Sequence, residues 1–168
     1  MTLDYLRTLY DYNYWAHNRV WGCVMALSDE QFTRDTGFSW RSIRGQMVHV
    51  MSAEWMWFMR INGTSPQAPL SEADFPTREK IREEWYRVEG MVRATVEGLN
   101  PDALDEIVVY HNTKGDEYSE PLWQILLHVI NHSTDHRAQI LAMIYQLGGA
   151  TVEQDLILYL RQFEGFSG

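Results

Sequence analysis

Two histidines four residues apart, His132 and His136, lie inside a long apolar pattern and are the first candidates for chemistry. Around them, apolar residues recur at spacings of three and four, which predicts an amphipathic helix over residues 121–147. At about 100° per residue, the two imidazoles lie only about 40° apart and face the core. Side chains at i and i+4 are neighbours, so the pair could share one metal ion. The alternative is that each imidazole is a hydrogen-bonded core group.

A metal centre needs a third protein ligand, and His49 is the best candidate because it lies in another helical pattern. Three inward histidines from two helices leave coordination positions open, as in catalytic rather than structural zinc sites.

The pattern is not the His-Glu-x-x-His protease signature, since Ser133 stands where the general base would be. His17 could also bind the ion, but packing beside Asn13 is the favoured interpretation, and His128 is expected at the rim of the apolar face.

The segment that follows His49 is acidic at one position and aromatic at several. Glu54 is interpreted either as an acid that assists the site or as a solvated carboxylate. Trp55, Trp57 and Phe58 exceed one face of a helix. Part of this aromatic segment could therefore form a subunit interface or the wall of a pocket.

Charge and composition exclude some functions. The net charge is −9, from 14 basic and 23 acidic residues, which argues against nucleic acid as the main partner. The single cysteine, Cys23, excludes an internal disulfide and a cysteine-based zinc site, and it is interpreted as a packed residue rather than a nucleophile. No stretch is apolar enough to span a bilayer and no secretory signal is visible, so we expect a cytoplasmic protein without a membrane partner.

Four long helical patterns predict an all-α four-helix bundle, formed by a single domain over residues 1–168. The patterns cover residues 3–27, 42–61, 77–98 and 121–147, with Thr2, Ser42 and Thr77 as N-caps of the first three. Pro121 suits the first turn of the fourth helix, with Ser119 or Glu120 as its cap.

The segments between the predicted helices also contain patterns that predict structure. A β-prone run at 107–111, followed by turn residues, predicts a small hairpin between the third and fourth helices, with His111 solvated. The segment 64–76 contains three prolines and is expected to be a crossover or a lid. Phe38 and Trp40 are expected to pack against the bundle end, and a short C-terminal helix is expected from about residue 151.

Four stretches, in this order along the chain, resemble the DinB/YfiT-like metalloprotein superfamily. They are Tyr12–Arg19, 42–49 together with Glu54-Trp55, His132–Gln139 and Asp155–Arg161. The resemblance covers nearly the whole chain and implies a four-helix bundle with a metal centre near one end. Carried over residue by residue, the ligands are His49, His132 and His136, and the ion is one divalent metal such as zinc or nickel.

The resemblance also implies supporting roles for His128, Arg137 and Gln139, and assembly as a homodimer. Characterised relatives of this superfamily include thiol-dependent transferases, such as bacillithiol S-transferases, and thiol-dependent isomerases. The leading hypothesis is therefore a metal-dependent enzyme, in which the ion lowers the pKa of a thiol or a water near neutral pH. Thiol transfer to a small-molecule electrophile is favoured, and hydrolysis is the alternative reaction.

The rival hypothesis is a non-catalytic bundle that binds metal or a partner protein, with the aromatic second helix as the interface. The sequence does not name the metal, since imidazole suits zinc, nickel, copper and iron. It does not name the substrate either, because the shape of a pocket depends on how the loops and the hairpin are placed.

Overall fold

Residues 2–163 are described by the computed structural model, and most of them are helical. Within this range there are six α-helices and one two-stranded sheet. The helices are α1 (Leu3–Met25), α2 (Asp29–Thr33), α3 (Ile43–Ile61), α4 (Arg78–Gly98), α5 (Leu122–Gln146) and α6 (Leu156–Phe163). The mainly helical fold predicted from the periodicity is confirmed. None of these helices is both long and apolar enough to cross a bilayer.

Side-chain caps fix the starts of three long helices. The hydroxyls of Thr2, Ser42 and Thr77 each accept a hydrogen bond from the backbone N–H of the third residue of α1, α3 and α4, respectively. Each satisfies a donor that the helix cannot satisfy itself, which stabilises the helix by about 1 kcal/mol. All three predicted caps are confirmed.

The four long helices pack pairwise around one core. The contact between α3 and α5 is the most extensive, and α1 also lies on α5, while α4 packs on α3 and α1. Each helix contributes fully buried aliphatic side chains, among them Leu6, Val20, Met51, Ile81, Val92, Leu126 and Ile140. Because α3 and α5 lie side by side, residues on their facing sides are brought together.

A hairpin of β1 (Ile107–His111) and β2 (Glu117–Pro121) precedes α5, as predicted. Gly115 has a φ of 90° in its turn, which an L side chain rarely adopts. The predicted start of α5 is wrong in detail, because Pro121 still pairs in β2 and no side chain caps the helix. The first N–H of α5, from Leu122, donates instead to the Glu106 carbonyl at 2.9 Å, since the strand leads directly into the helix.

Two other segments differ from simple loops. The C-terminal helix begins at Leu156, later than predicted, because hydrogen bonds from α1 hold the preceding segment in a non-helical conformation. There, Tyr12 Oη and Arg19 Nε donate to the carbonyls of Gln154 and Glu153, both at 2.9 Å. The proline-containing segment 64–76 includes a short 3-10 helix, Glu72–Asp74, and its Leu70 N–H donates to the Ser52 hydroxyl of α3 at 2.8 Å.

Candidate metal centre

The three histidines singled out in the sequence lie together between α3 and α5. One ring nitrogen from each of His49, His132 and His136 can be chosen so that all three atoms lie within 4.8 Å of one another. The Nε2 atoms of His49 and His132 are 3.2 Å apart. His136 is buried and the other two are half-buried. The structure thus brings together the predicted ligands, and their binding of an ion stays a prediction.

The spacing of two of the three imidazoles fits a divalent ion. In a tetrahedral site with metal–nitrogen bonds of about 2.0–2.1 Å, neighbouring ligand nitrogens are roughly 3.3 Å apart. The 3.2 Å between the His49 and His132 nitrogens is close to that edge length. Two imidazole lone pairs that face each other repel, so either a proton or a cation must lie between them. Three imidazoles with no carboxylate suit zinc, nickel, copper or iron.

The electrostatics keep the three imidazoles neutral. Burial lowers the pKa of His49 to about 3, and the neighbouring His136 and His132 lower it further. Burial, with His136 and His128 nearby, lowers the pKa of His132 to about 4. Burial also lowers the pKa of His136. At neutral pH all three are therefore uncharged, and each has one ring nitrogen without a proton.

The indole of Trp40 covers one face of His49, with ring centroids 4.0 Å apart and planes 17° from parallel. Trp40 therefore packs on the candidate site, and half of its side chain remains exposed. Its neighbours Ser39 and Arg41 have φ values of 46° and 65°, which are unfavourable for residues with a Cβ. Such strain is characteristic of functional loops. Gly45 permits this path, because a Cβ there would collide with the Trp40 carbonyl oxygen.

Behind His136 lies a network of amides that the sequence analysis did not single out as a unit. The side-chain nitrogen of Gln46 lies 3.0 Å from His136 Nδ1 and donates to Gln139 Oε1 at 2.7 Å. Ser39 Oγ donates to Gln139 Oε1 at 2.9 Å. Gln46 is fully buried. Its position three residues before His49, on the same side of α3, was the signal that could have found it.

The remaining histidines lie outside this group. His128 is exposed, and its ring is 5.8 Å from that of His132 and 5.1 Å from Trp57. His17 is buried over Trp85, with centroids 3.7 Å apart and no hydrogen-bond partner for Nε2. His111 is exposed on the hairpin, as expected. The packing interpretation of His17 therefore agrees with its surroundings, although its predicted neighbour Asn13 bonds elsewhere.

Glu54 is buried, so its interpretation as a solvated carboxylate is wrong. It is 2% exposed and accepts hydrogen bonds from Tyr14 Oη and Trp85 Nε1, both at 3.0 Å, and from Asn13 Nδ2 at 3.4 Å. Burial raises the pKa of its carboxyl to about 7 despite these donors. The donors come from α1 and α4, because Glu54 projects from the side of α3 that faces those helices.

Arg137 has a structural role, because its hydrogen bonds connect helices. The buried Arg137 guanidinium donates to Asn13 Oδ1, to Gln154 Oε1 at 2.7 Å and to Thr134 Oγ1 at 3.0 Å. It thereby ties α5 to α1 and to the segment before α6.

Cys23 is half-buried against the core, and burial raises the pKa of its thiol, which disfavours the nucleophilic thiolate.

Fold and site together define a mostly helical protein with a three-histidine group that can hold a metal ion. Residues 1–164 match the model of the DinB family, so the chain belongs to the DinB family. It is similar to Protein DinB of Bacillus subtilis (strain 168), with 25% identity over 162 residues that cover 94% of each chain. The resemblance inferred from the sequence motifs is confirmed.

Proposed function

We propose that this protein is a DinB-like four-helix bundle that binds one divalent metal ion, zinc or nickel, through His49, His132 and His136. The observation that carries the proposal is the convergence of three neutral imidazoles, two of whose nitrogens are 3.2 Å apart, between α3 and α5. Family membership also supports it, since the match to the DinB family model spans residues 1–164 and so includes all three histidines.

We further propose an enzymatic role of the thiol S-transferase type. An ion in such a site supplies Lewis acidity and lowers the pKa of a thiol or water in its open position. Because all three protein ligands are neutral, nothing in the ligand set offsets the cation's charge, and this favours an anionic partner such as a thiolate. Trp40 covers one face of His49 and so restricts approach to the site from that side. The expected substrates are small molecules, and the expected assembly is a homodimer.

The first test is metal content. Protein purified without a histidine tag is incubated with zinc or nickel, passed through a desalting column and analysed for metal per chain. We expect about one ion in the wild type and none bound after His132→Ala. The matched control is His111→Ala, which removes an exposed histidine outside the group. Retention of one ion per chain by His132→Ala would refute the ligand assignment.

A second measurement separates the enzyme from a non-catalytic metal-binding bundle. The loaded protein is incubated with a low-molecular-weight thiol and an electrophile, and product formation is compared with that of His132→Ala. Metal-dependent turnover supports the transferase. If the loaded protein shows no turnover and a chelator lowers its melting temperature by many degrees, the ion has a structural role.

A further inference from the structure

The contact between Gln46 and His136 has a consequence for the tautomer of the histidine. A neutral imidazole carries a proton on only one ring nitrogen. The Gln46 amide nitrogen lies 3.0 Å from His136 Nδ1, and because an amide nitrogen can only donate, we infer from this geometry that Nδ1 accepts and that the proton is on Nε2. Since Nδ1 is engaged by Gln46, Nε2 is the nitrogen left for an ion. A protonated Nε2 has no lone pair to offer, so this tautomer does not bind metal.

We propose that Gln46 is a positioning residue for His136, and that its side-chain amide reverses when metal binds. Ligation through Nε2 puts the proton on Nδ1, which then needs an acceptor. A 180° rotation of the Gln46 amide supplies Oε1 at the same place with almost no change in shape. The inference rests on the proposed metal-binding function and adds to it the residue that selects the competent tautomer.

Rotation of the Gln46 amide also requires rotation of the Gln139 amide. Its nitrogen now donates to Gln139 Oε1 at 2.7 Å, and after rotation two oxygens would face each other there. Gln139 must therefore reverse as well, and its nitrogen leaves Asp135 Oδ2, to which it now donates at 3.1 Å. Asp135 is exposed, so water replaces the lost donor. Ser39 Oγ, 3.3 Å from Gln46 Oε1 and 2.9 Å from Gln139 Oε1, can accept from both amides afterwards.

Because Gln46 is buried, the orientation of its amide should affect metal affinity strongly. Gln46 has no exposed surface, so water cannot replace a missing partner of His136 Nδ1. Groups that orient a metal-bound histidine typically account for about 10–100-fold in metal affinity. A leucine at position 46 has a similar volume but no acceptor. We therefore expect Gln46→Leu to weaken zinc binding by about 10–100-fold. Gln46→Glu, which can only accept when ionised, is expected to restore wild-type affinity or exceed it.

The test is a zinc titration in competition with a chromogenic chelator. The variants are Gln46→Leu, Gln46→Glu and the control Gln124→Leu, which replaces an exposed glutamine on α5. Equal affinity of the wild type and Gln46→Leu would overturn the positioning role alone. A wild type that binds no zinc would overturn the proposed metal function, and the present inference with it. Loss of affinity in Gln46→Glu equal to that in Gln46→Leu would show a packing defect and would also overturn the inference.

A spectroscopic measurement on the wild type needs no variant. Long-range proton–nitrogen NMR of protein with ¹⁵N-labelled histidine reports the protonated ring nitrogen directly. We expect His136 to carry its proton on Nε2 in chelator-treated protein and on Nδ1 in zinc-loaded protein. Observation of zinc on Nδ1, or of the same tautomer in both states, would overturn the inference.

Discussion

The Glu54→Gln substitution tests whether the buried carboxyl is protonated in the folded protein at mildly acidic pH. In the folded state burial raises the pKa of Glu54 to about 7, against an ordinary value of 4.5. The protonated acid can donate to Tyr14 Oη and accept from Trp85 Nε1, both of which lie 3.0 Å away. A glutamine amide can form the same two bonds in the same volume. The variant therefore imitates the protonated acid at every pH.

The direction in which folding stability changes with pH follows from the number of protons bound by the folded and unfolded states. Between pH 4.5 and 7 the folded protein holds a proton on Glu54 that the unfolded chain has released. Folding stability from this group is therefore present at low pH and is lost as pH rises through that window. The shift corresponds to a loss of about 3 kcal/mol in total, of which about 2.5 kcal/mol falls between pH 5 and pH 8.

Other groups titrate in the same range with the opposite sign. Burial lowers the pKa values of His17 and of the three clustered histidines, so their contribution to stability grows as pH rises. The difference between variant and wild type removes these shared contributions. That difference, rather than the pH profile of either protein, is the quantity to measure.

The assay is urea unfolding of chelator-treated protein at pH 5 and pH 8, followed by circular dichroism. We expect the free energy of unfolding of Glu54→Gln minus that of the wild type to be larger at pH 8 than at pH 5 by about 2.5 kcal/mol, so that the variant is relatively more stable at pH 8. The control, Glu97→Gln, makes the same chemical change at an exposed position near the end of α4 and so shows the effect of the substitution without burial. A difference that is constant for Glu54→Gln would refute the reasoning.

Two further predictions concern the loop over the site. Gly45→Ala should destabilise the protein by about 1–3 kcal/mol, because its Cβ would collide with the Trp40 carbonyl oxygen, and urea unfolding measures this. The matched change Gly22→Ala, in α1 with open space around it, should be neutral or stabilising, so equal effects of the two changes would contradict the prediction. Trp40→Ala should weaken zinc affinity several-fold in a chelator competition, while Trp40→Phe should largely preserve it, because stacking on His49 restrains that ring. Unchanged affinity of Trp40→Ala would contradict this role.

The metal-centre candidates could be predicted from the sequence because they follow helical periodicity. His132 and His136 are one turn apart, so their common face is fixed as soon as the helix is assigned. His49 needed the further step of placing another amphipathic helix beside it, and the contact between α3 and α5 supplies that step. The caps Thr2 and Ser42 were equally local, since each hydroxyl bonds to the backbone N–H only three residues ahead.

The features that escaped prediction depend on tertiary packing or irregular backbone. Whether Glu54 is solvated or buried is decided by two other helices, which supply Tyr14 and Trp85. The stacking of Trp40 on His49 depends on a loop with two residues at positive φ, and no periodic pattern describes such a path. The start of α5 was misplaced because a strand passes directly into a helix, and a backbone carbonyl replaces the side-chain cap.

Two polar clusters occupy the interior, and α5 contributes neighbouring residues to both. His136 and Arg137 project about 100° apart on the helix, so they point toward different partners. Around His136 the nearby polar groups are mostly neutral imidazoles and amides, and the Asp135 carboxylate acts on the ring electrostatically from the exposed side of the helix. Around Arg137 the cluster contains a cation, an acid and the Asn13 amide that bonds to both. Because Arg137 holds α5 against α1, the second cluster fixes the helix on which two of the three candidate ligands stand.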